Sequence, residues 1–428
     1  MNTVLYVIAG IRTPFCRMGT ELASLSASDL GRAAVTALLD QTGIDPARVS
    51  ELIFGCVGQP ADSANIARVI ALRSGLPRTV PAMTVNRNCA SGMESLTTAC
   101  QRLQAERGDC YIVGGVESMS HYPLLFRDSA LEHFTGLSKA HSLAERLKAL
   151  SRFRPNDFSP LLGLQLGLTD PVSGMNMGET AELLVREYDI SRECQDRFAV
   201  ASHRKAKAHR EATAREIAPV FVDGHAVLAD NGIREDCNEQ GLAGLKPVFD
   251  RETGSVTPGN ASQITDGAVA LLVGSETCAR ELGIEPLGRL IDYAYTGCDP
   301  ARMGLGPVRA IEAVNRRAGL KLADADLYEI NEAFAAQVLA VLKALMEPEY
   351  SARAGLPAPL GEIPLDRLNQ RGGAIALGHP VGATGARLIL TALQQLKDSG
   401  GRRALVSLCI GGGQGAALWL ESTHPKSK

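Results

Sequence analysis

Three segments of the chain set a reactive side chain among crowded glycines and small residues. In NRNCASGM, Cys89 stands where a short strand (Thr84 to Asn86) gives way to a helix. A thiol at a helix N-terminus has its thiolate stabilised by the helix dipole and free N–H groups, which is how a nucleophilic cysteine is made. The same place also suits a buried small hydrophobe, the commoner fate of a free cysteine. In GGAIALGHPVGATGAR, His379 lies between Gly378 and Pro380 in a loop ahead of a helix. Imidazole accepts a proton near pH 7, and loops on rigid scaffolds are where catalytic bases are mounted; a satisfied structural histidine is the alternative. In CIGGGQG, Cys409 ends a buried strand and runs into Gly411, Gly412 and Gly413, whose bare N–H groups can point at a developing oxyanion. A phosphate-cradling loop is the rival, but no Lys-Ser/Thr follows as a P-loop needs. A fourth segment, NEAFAAQ (Asn331 to Gln337), reads on local grounds as an N-cap followed by a Glu that complements the dipole.

Two cysteines and one histidine without metal-ligand spacing suggest covalent thioester chemistry followed by proton abstraction, provided the fold brings them together. The elements that must do so alternate. Strand-like runs (Val4 to Ala9, Glu51 to Phe54, Cys110 to Val113) interleave with helical patterns (Asp29 to Gln41, Ala90 to Leu103), which argues α/β layering with buried strands. An internal echo organises them. Ala90-Ser91-Gly92 matches Ala383-Thr384-Gly385, and Leu96, Ala99 and Leu103 match Ile389, Ala392 and Leu396 at the same offset; in each case a strand follows (CYIVGG, RALVSL). A second echo sets Ala34, Leu38 and Gly43 beside Ala310, Val314 and Gly319. Two related α/β halves follow, and they place Cys89 and the His379 loop near a pseudo-dyad.

The boundaries read as an N-terminal half over 1–119 and 248–281, an insertion over 120–247, and a C-terminal half over 282–428. Within the insertion, Lys139 to Arg154 holds five basic residues (Lys139, Arg146, Lys148, Arg152, Arg154) and one acid, Glu145, ahead of the apolar SPLLGLQLGL. Such a segment binds phosphates, lines an acyl tunnel or touches a membrane surface; a solvated helix with a packed loop is equally compatible. With 44 Lys and Arg against 47 Asp and Glu, the net charge of −3 gives no global drive towards nucleic acid, so any anion site must be local, and the insertion is where it is expected. Ten scattered cysteines without a C-x-x-C pair argue for reduced thiols of a cytoplasmic-type protein, eight of them packing residues. The start, MNTVLYVIAGIRTPF, lacks a basic leader and reads as a first strand. Glycine, at 43 of 428 residues, exceeds the usual share of about 7%, pointing to close backbone approach.

The four segments NRNCASGM, NEAFA, GGAIALGHPVGATGAR and CIGGGQG, in this order and at these separations, resemble the thiolase family of acetyl-CoA acyltransferases, and the likeness runs from IAGIRTPF to GAALWLE. The resemblance implies a duplicated, five-layered α-β-α-β-α fold with an inserted loop domain, assembled as a homodimer or homotetramer. It makes Cys89 the acyl-accepting nucleophile, His379 its base and Cys409 the acid/base at the α-carbon. One oxyanion hole would use the His379 ring and a water held by Asn331, and the other the N–H groups of Cys89 and Gly411. Ser262 in GNASQITDGA and Arg234 in DNGIRED fall at coenzyme A contacts, and Met177, Met303 and Phe334 at pocket-lining positions. No metal or cofactor is implied, coenzyme A being a substrate. SLAERLKALSRFRPNDFSP, MGETAE and DNGIR resemble the thiolase subunit of the trifunctional fatty-acid oxidation complex, which implies longer 3-ketoacyl-CoA chains, an enoyl-CoA hydratase/3-hydroxyacyl-CoA dehydrogenase partner and peripheral membrane contact. Asn331, where that branch has His, and CIGGGQG, where it has Cys-Ala-Ala-Gly-Gly, point instead to ordinary or biosynthetic acetoacetyl-CoA thiolases. Those carry a His where this chain has Asn176. A decarboxylating ketoacyl synthase pairs its Cys with two His, against Cys409 here. A silent acyl-CoA binder would not need every reactive position filled.

Overall fold

The computed structural model describes residues 4–425; the outer ends of the two expected halves, 1–3 and 426–428, lie outside it. Two half-sheets repeat one strand plan. From a shared seam outward, the first runs Tyr6–Arg12, Thr265–Gly274, Cys110–Glu117, Glu51–Gly55 and Ala82–Val85. The second runs Gly288–Gly297, Gln414–Ser422, Arg403–Ile410 and Leu327–Ile330. In each, the first two pairings are antiparallel and the third parallel. A further parallel strand in the first half is matched in the second by a single parallel bridge between Tyr328 and Leu368. The halves join through a two-residue antiparallel ladder, Tyr6 with Arg289 and Val7 with Gly288, so the half-sheets are continuous rather than separate.

The two echoing helices, Ser91–Gln104 and Val381–Ser399, pack between the half-sheets in one apolar cluster with strands of both. Glycine lets them approach. A Cβ on Gly92 would lie 2.6 Å from the Ala386 nitrogen, and one on Gly385 would lie 2.6 Å from the Met93 nitrogen. Helix Val381–Ser399 is buried nearly all round, as a central helix must be. Outside, Ala27–Thr42 and Ile66–Arg73 cover the first half-sheet, while Gly306–Ala318 and Ala335–Met346 cover the second. The layers are therefore α-β-α-β-α. The echo in the outer layer has a local cause: Gly43 and Gly319 both end their helices in the left-handed conformation, at φ 60° and 66°.

The first strand runs on to Arg12, beyond the apolar run that suggested an end at Ala9. Arg12 is buried because Asp230 meets its guanidinium at 2.7 and 2.8 Å, so a charged residue occupies a core position by pairing. Cys110–Glu117 likewise outruns its expected end at Val113, and its last residue matters below.

The chain between the neighbouring strands Cys110–Glu117 and Thr265–Gly274 leaves the sheet. It forms an outlying helical pair, Asp128–Ser138 and Leu143–Leu150, and then the helices Met177–Glu187 and Arg192–Ala208. The basic stretch is thus one short helix and a turn. Leu131, Leu143 and Leu147 on this pair are 64%, 75% and 59% exposed, so it carries an uncovered apolar face beside its cations. The following apolar stretch folds as a two-residue strand, Leu161–Leu162, and a short helix, Gly163–Gly167. Five of the eight cysteines expected to be packing residues are buried; Cys237 and Cys298 are half-buried, and Cys194 is exposed in the first turn of its helix.

Candidate active site

Cys89 sits in the turn between strand Ala82–Val85 and helix Ser91–Gln104, two residues ahead of the helix. Asn88, just before it, has φ +44°, a left-handed conformation that costs a non-glycine residue about 1–3 kcal/mol, with Asn among the types that tolerate it best. Hydrogen bonds of Asn88 and Ser91 help to hold the turn. The Asn88 N–H donates to Asn86 Oδ1 at 2.9 Å, Ser91 Oγ donates to the Asn88 carbonyl at 2.7 Å, and Asn88 Nδ2 donates to the Gly411 carbonyl at 2.7 Å. The last bond ties the cysteine turn of one half to the glycine turn of the other.

That glycine turn joins Arg403–Ile410 to Gln414–Ser422, with Gly412 and Gly413 at φ 87° and 80°. The backbone N–H groups of Gly411 and of Cys89 itself favour the Cys89 thiolate. Burial nevertheless pushes the Cys89 thiol up, with the two N–H groups pulling the other way and Glu117 adding to the rise. The expectation of a helix-stabilised thiolate is corrected: the sulfur lies outside the helix and desolvation wins. Burial, then the neighbouring Cys89, hold the Cys409 thiol far above its usual value. Both thiols are protonated at rest, so nucleophilic attack by Cys89 needs a base.

His379 is buried in the loop before helix Val381–Ser399, and burial together with Arg387 drives its pKa down to about 3. The ring is therefore neutral at working pH. Its Nδ1 lies 2.7 Å from Thr384 Oγ1, whose own hydroxyl donates to the Pro380 carbonyl at 3.0 Å. With that proton committed, Thr384 accepts from Nδ1–H, which leaves Nε2 unprotonated. Asn331 Nδ2 is 3.4 Å from this Nε2, and Asn331 Oδ1 is buried without a protein partner. The N-cap reading of this segment is overturned. The helix begins at Ala335 with Phe334 as its cap, and Glu332 turns inward to accept from Ser202 Oγ at 2.6 Å and Asn369 Nδ2 at 2.8 Å.

Two adjoining cavities open here. One of about 470 Å³ is lined by Cys89, Gly411, Met177 and Tyr122; the other, about 610 Å³, by Met177, Tyr122, Ser262 and Phe334. Met303, Phe334 and Cys409 share one buried cluster against which Met177 packs. Arg234 lines neither cavity; its guanidinium reaches the Pro258 carbonyl at 3.4 Å. Sequence reasoning missed Asn88, Thr384, Glu117 and Tyr122. Thr384 had a signal, since it echoes Ser91, and both hydroxyls turn out to brace a reactive turn.

A duplicated, five-layered α/β chain whose halves each contribute a cysteine turn and whose second half mounts a neutral imidazole beside an amide has the architecture of a covalent acyl-transfer protein. Residues 5–277 match the thiolase N-terminal domain and residues 284–422 the thiolase C-terminal domain. A 3-ketoacyl-CoA thiolase of Serratia proteamaculans is 38% identical over 421 residues, 97% of this chain and 96% of that protein. The mitochondrial trifunctional enzyme subunit beta of Bos taurus is 39% identical over 427 residues, 99% of this chain and 89% of that protein. Among solved structures, human mitochondrial 3-ketoacyl-CoA thiolase in complex with CoA has a TM-score of 0.84 at 36% identity, covering 98% of each chain. The Bacillus anthracis acetyl-CoA acetyltransferase has a TM-score of 0.85 at 35% identity, covering 99% of this chain and 100% of that one. The chain belongs to the thiolase family. Among the described residues no helix is long and apolar enough to cross a membrane.

Proposed function

We propose that the protein is an acetyl-CoA C-acyltransferase of the 3-ketoacyl-CoA thiolase type, cleaving 3-ketoacyl-CoA with CoA and catalysing the reverse Claisen condensation. The observation that carries this reading is that the Cys89 turn and the Gly411 turn, tied by the Asn88 Nδ2 bond to the Gly411 carbonyl, line one cavity, with the N–H groups of both residues favouring the Cys89 thiolate. Cys89 attacks the C3 carbonyl as its proton passes to His379 Nε2, and the C3 oxyanion is received by those two N–H groups. The C2–C3 bond then breaks, leaving acyl-Cys89 and the enolate of acetyl-CoA. The enolate oxygen meets the protonated His379 ring and a water held by Asn331, and Cys409 gives its proton to C2. A thiol held protonated by burial suits that donation. CoA then takes the acyl group from Cys89 by thioester exchange, its thiol proton passing to the Cys409 thiolate while His379 returns its proton to the leaving Cys89 sulfur. Each oxyanion donor is worth about 3 kcal/mol. Coenzyme A is bound as substrate through Ser262 and Arg234, with Met177, Met303 and Phe334 lining the pocket, and the balanced steps call on no metal or redox group.

Leu164 and Leu168 in the cavity walls support use of longer acyl chains. The short-chain, biosynthetic reading keeps the support of Asn331 and of CIGGGQG. Thiolysis rates with C4 against C10 to C16 3-ketoacyl-CoAs decide between them: activity confined to C4 would sink the longer-chain reading, and no thiolysis at any length would sink both. The protein acts as a homodimer or homotetramer in the cytoplasm, and the edge position of strand Ala82–Val85 supports pairing of copies. The apolar face and cations of the outlying helical pair support docking to a hydratase/dehydrogenase subunit or to an anionic membrane surface. Sedimentation velocity, alone and with vesicles or that subunit, tests these assemblies.

A further inference from the structure

One buried charge close to the site has no place in these steps. Glu117 ends strand Cys110–Glu117 in the first half, is fully buried, and among the described residues pairs with no cation. Its carboxylate instead takes four donors. Oε2 accepts from the Gly382 N–H at 2.9 Å and the Val57 N–H at 3.1 Å; Oε1 accepts from the Gly58 N–H at 2.8 Å and the Tyr122 hydroxyl at 3.2 Å. These donors belong to three different parts of the site. Gly382 is in the first turn of the helix that follows His379 and carries Thr384, a place where a carboxylate also complements the helix dipole. Val57 and Tyr122 line the cavity that contains Cys89, and Tyr122 lines the second cavity as well. The approach is close enough to exclude side chains. A Cβ on Gly382 would lie 2.8 Å from Glu117 Oε2, one on Gly115 would lie 1.9 Å from the Gly382 carbonyl, and one on Gly58 would lie 2.3 Å from the Tyr122 ring.

We propose that Glu117 is a positioning residue for acyl transfer: as a carboxylate it locks the His379-bearing helix start of the second half to the Val57–Gly58 loop and Tyr122 of the first, so that base, nucleophile and acyl-binding wall are held as one unit. The inference rests on the thiolase reading of Cys89 and His379. The ionised form is the one that serves, because it alone offers lone pairs to all four donors; a protonated carboxyl adds a competing O–H. Burial pushes Glu117 up to about 7 even against its four donors, so the clamp loosens as pH falls through that value. The other titratable groups facing it are Tyr122, Cys56 and Cys89. Burial, with Glu117 next among the causes, keeps Tyr122 and Cys56 protonated across the same range, which leaves Glu117 and Cys89 to shape the profile.

The test reads Cys89 directly. The rate of Cys89 alkylation by iodoacetamide, followed by peptide mass spectrometry from pH 5.5 to 9, is compared in wild type, Glu117→Gln, Glu117→Asp and Tyr122→Phe, alongside kcat and KM for thiolysis where activity is present. The glutamine amide turns two N–H bonds towards a site that supplies only donors. A loss of about 10- to 100-fold in alkylation and in kcat is expected, as for a reacting group displaced by about 1 Å. The limb near pH 7 disappears in Glu117→Gln, moves to higher pH in Tyr122→Phe, which removes a donor to the ionised form, and persists in Glu117→Asp. A structural role alone predicts a lower Tm with the alkylation rate and pH profile of the folded protein unchanged, and that result overturns the proposal. A Glu117→Gln protein that does not fold leaves the comparison to the other two variants: an unmoved limb in Tyr122→Phe, or its loss in Glu117→Asp, overturns it as well. Wild type that turns over no 3-ketoacyl-CoA refutes the thiolase reading, while the alkylation profiles still decide the role of Glu117.

Discussion

Replacing Thr384 with Val should slow acylation of Cys89 by about 5- to 160-fold without unfolding the protein. Valine has nearly the shape of threonine, so the packing of the buried first turn of helix Val381–Ser399 changes little. What is lost is the acceptor 2.7 Å from His379 Nδ1. A buried N–H left without a partner costs about 1–3 kcal/mol. The ring escapes that cost by moving its proton to Nε2, the nitrogen that must take the thiol proton. Returning to the reactive tautomer then costs the same 1–3 kcal/mol, and at about 1.36 kcal/mol per tenfold this gives the stated range. Protonation does not mask the effect, because a ring with a pKa of about 3 is neutral throughout pH 6–9, so the rate ratio should be independent of pH there. Rapid-quench measurement of the acyl-enzyme burst supplies the number. Thr384→Ser keeps the hydroxyl and should stay within about threefold of wild type by the same accounting. Wild-type bursts from the Val variant, or equal slowing by Ser and Val, would refute the tautomer argument.

Further outcomes follow from the same geometry. Cys89→Ser should abolish acyl-enzyme formation, whereas Cys409→Ser should still accept an acyl group but fail to condense two acetyl units; normal condensation by the Cys409 variant removes its assigned role. Gly385→Ala forces a Cβ to within 2.6 Å of a backbone nitrogen at the central helix crossing and should lower stability by about 1–3 kcal/mol, read from urea midpoints at unchanged m-value. His203 accepts the Arg234 N–H at 3.2 Å, and burial, with Arg234 adding to it, lowers its pKa to about 4. Its folded pKa lies below the unfolded value of about 6.5, so its contribution is complete above pH 6.5 and is lost as pH falls through 4. The stability gap between wild type and His203→Asn should therefore shrink by up to about 3 kcal/mol between pH 7 and pH 4, and denaturation series at pH 7, 5.5 and 4 measure it.

The layered, duplicated plan was legible because it is written in periodic apolar residues and helix-stopping glycines: the Gly92 and Gly385 echo is the helix crossing itself. Cys89, His379 and Cys409 were legible because reactive residues stand among glycines that serve close approach. Less could be read where long-range pairing overrides local preference. Arg12 extends a strand because Asp230, 218 residues away in sequence, neutralises it. Asn331 and Glu332 look like a helix cap, and only the distant Ser202 and Asn369 explain why Glu332 turns inward. The cysteine's acidity was misjudged because burial, the dominant influence on it, leaves no local mark in sequence. Glu117 was invisible for a related reason, since all its partners except Tyr122 are backbone groups brought in from elsewhere.

The strand order also sets a timetable for synthesis. Thr265–Gly274 lies between Tyr6–Arg12 and Cys110–Glu117, so the first half-sheet has a gap at its middle until that strand leaves the ribosome. At translation rates of about 5–20 residues per second, the intervening chain takes roughly 8 to 30 s to appear. Through that interval two long, apolar strands expose unpaired backbone edges, the condition that recruits chaperones or seeds aggregation. Placing the insertion between adjacent strands thus makes the nascent chain most vulnerable when its first half is nearly complete, and yields and solubility should depend on elongation rate across the insertion more than anywhere else in the message.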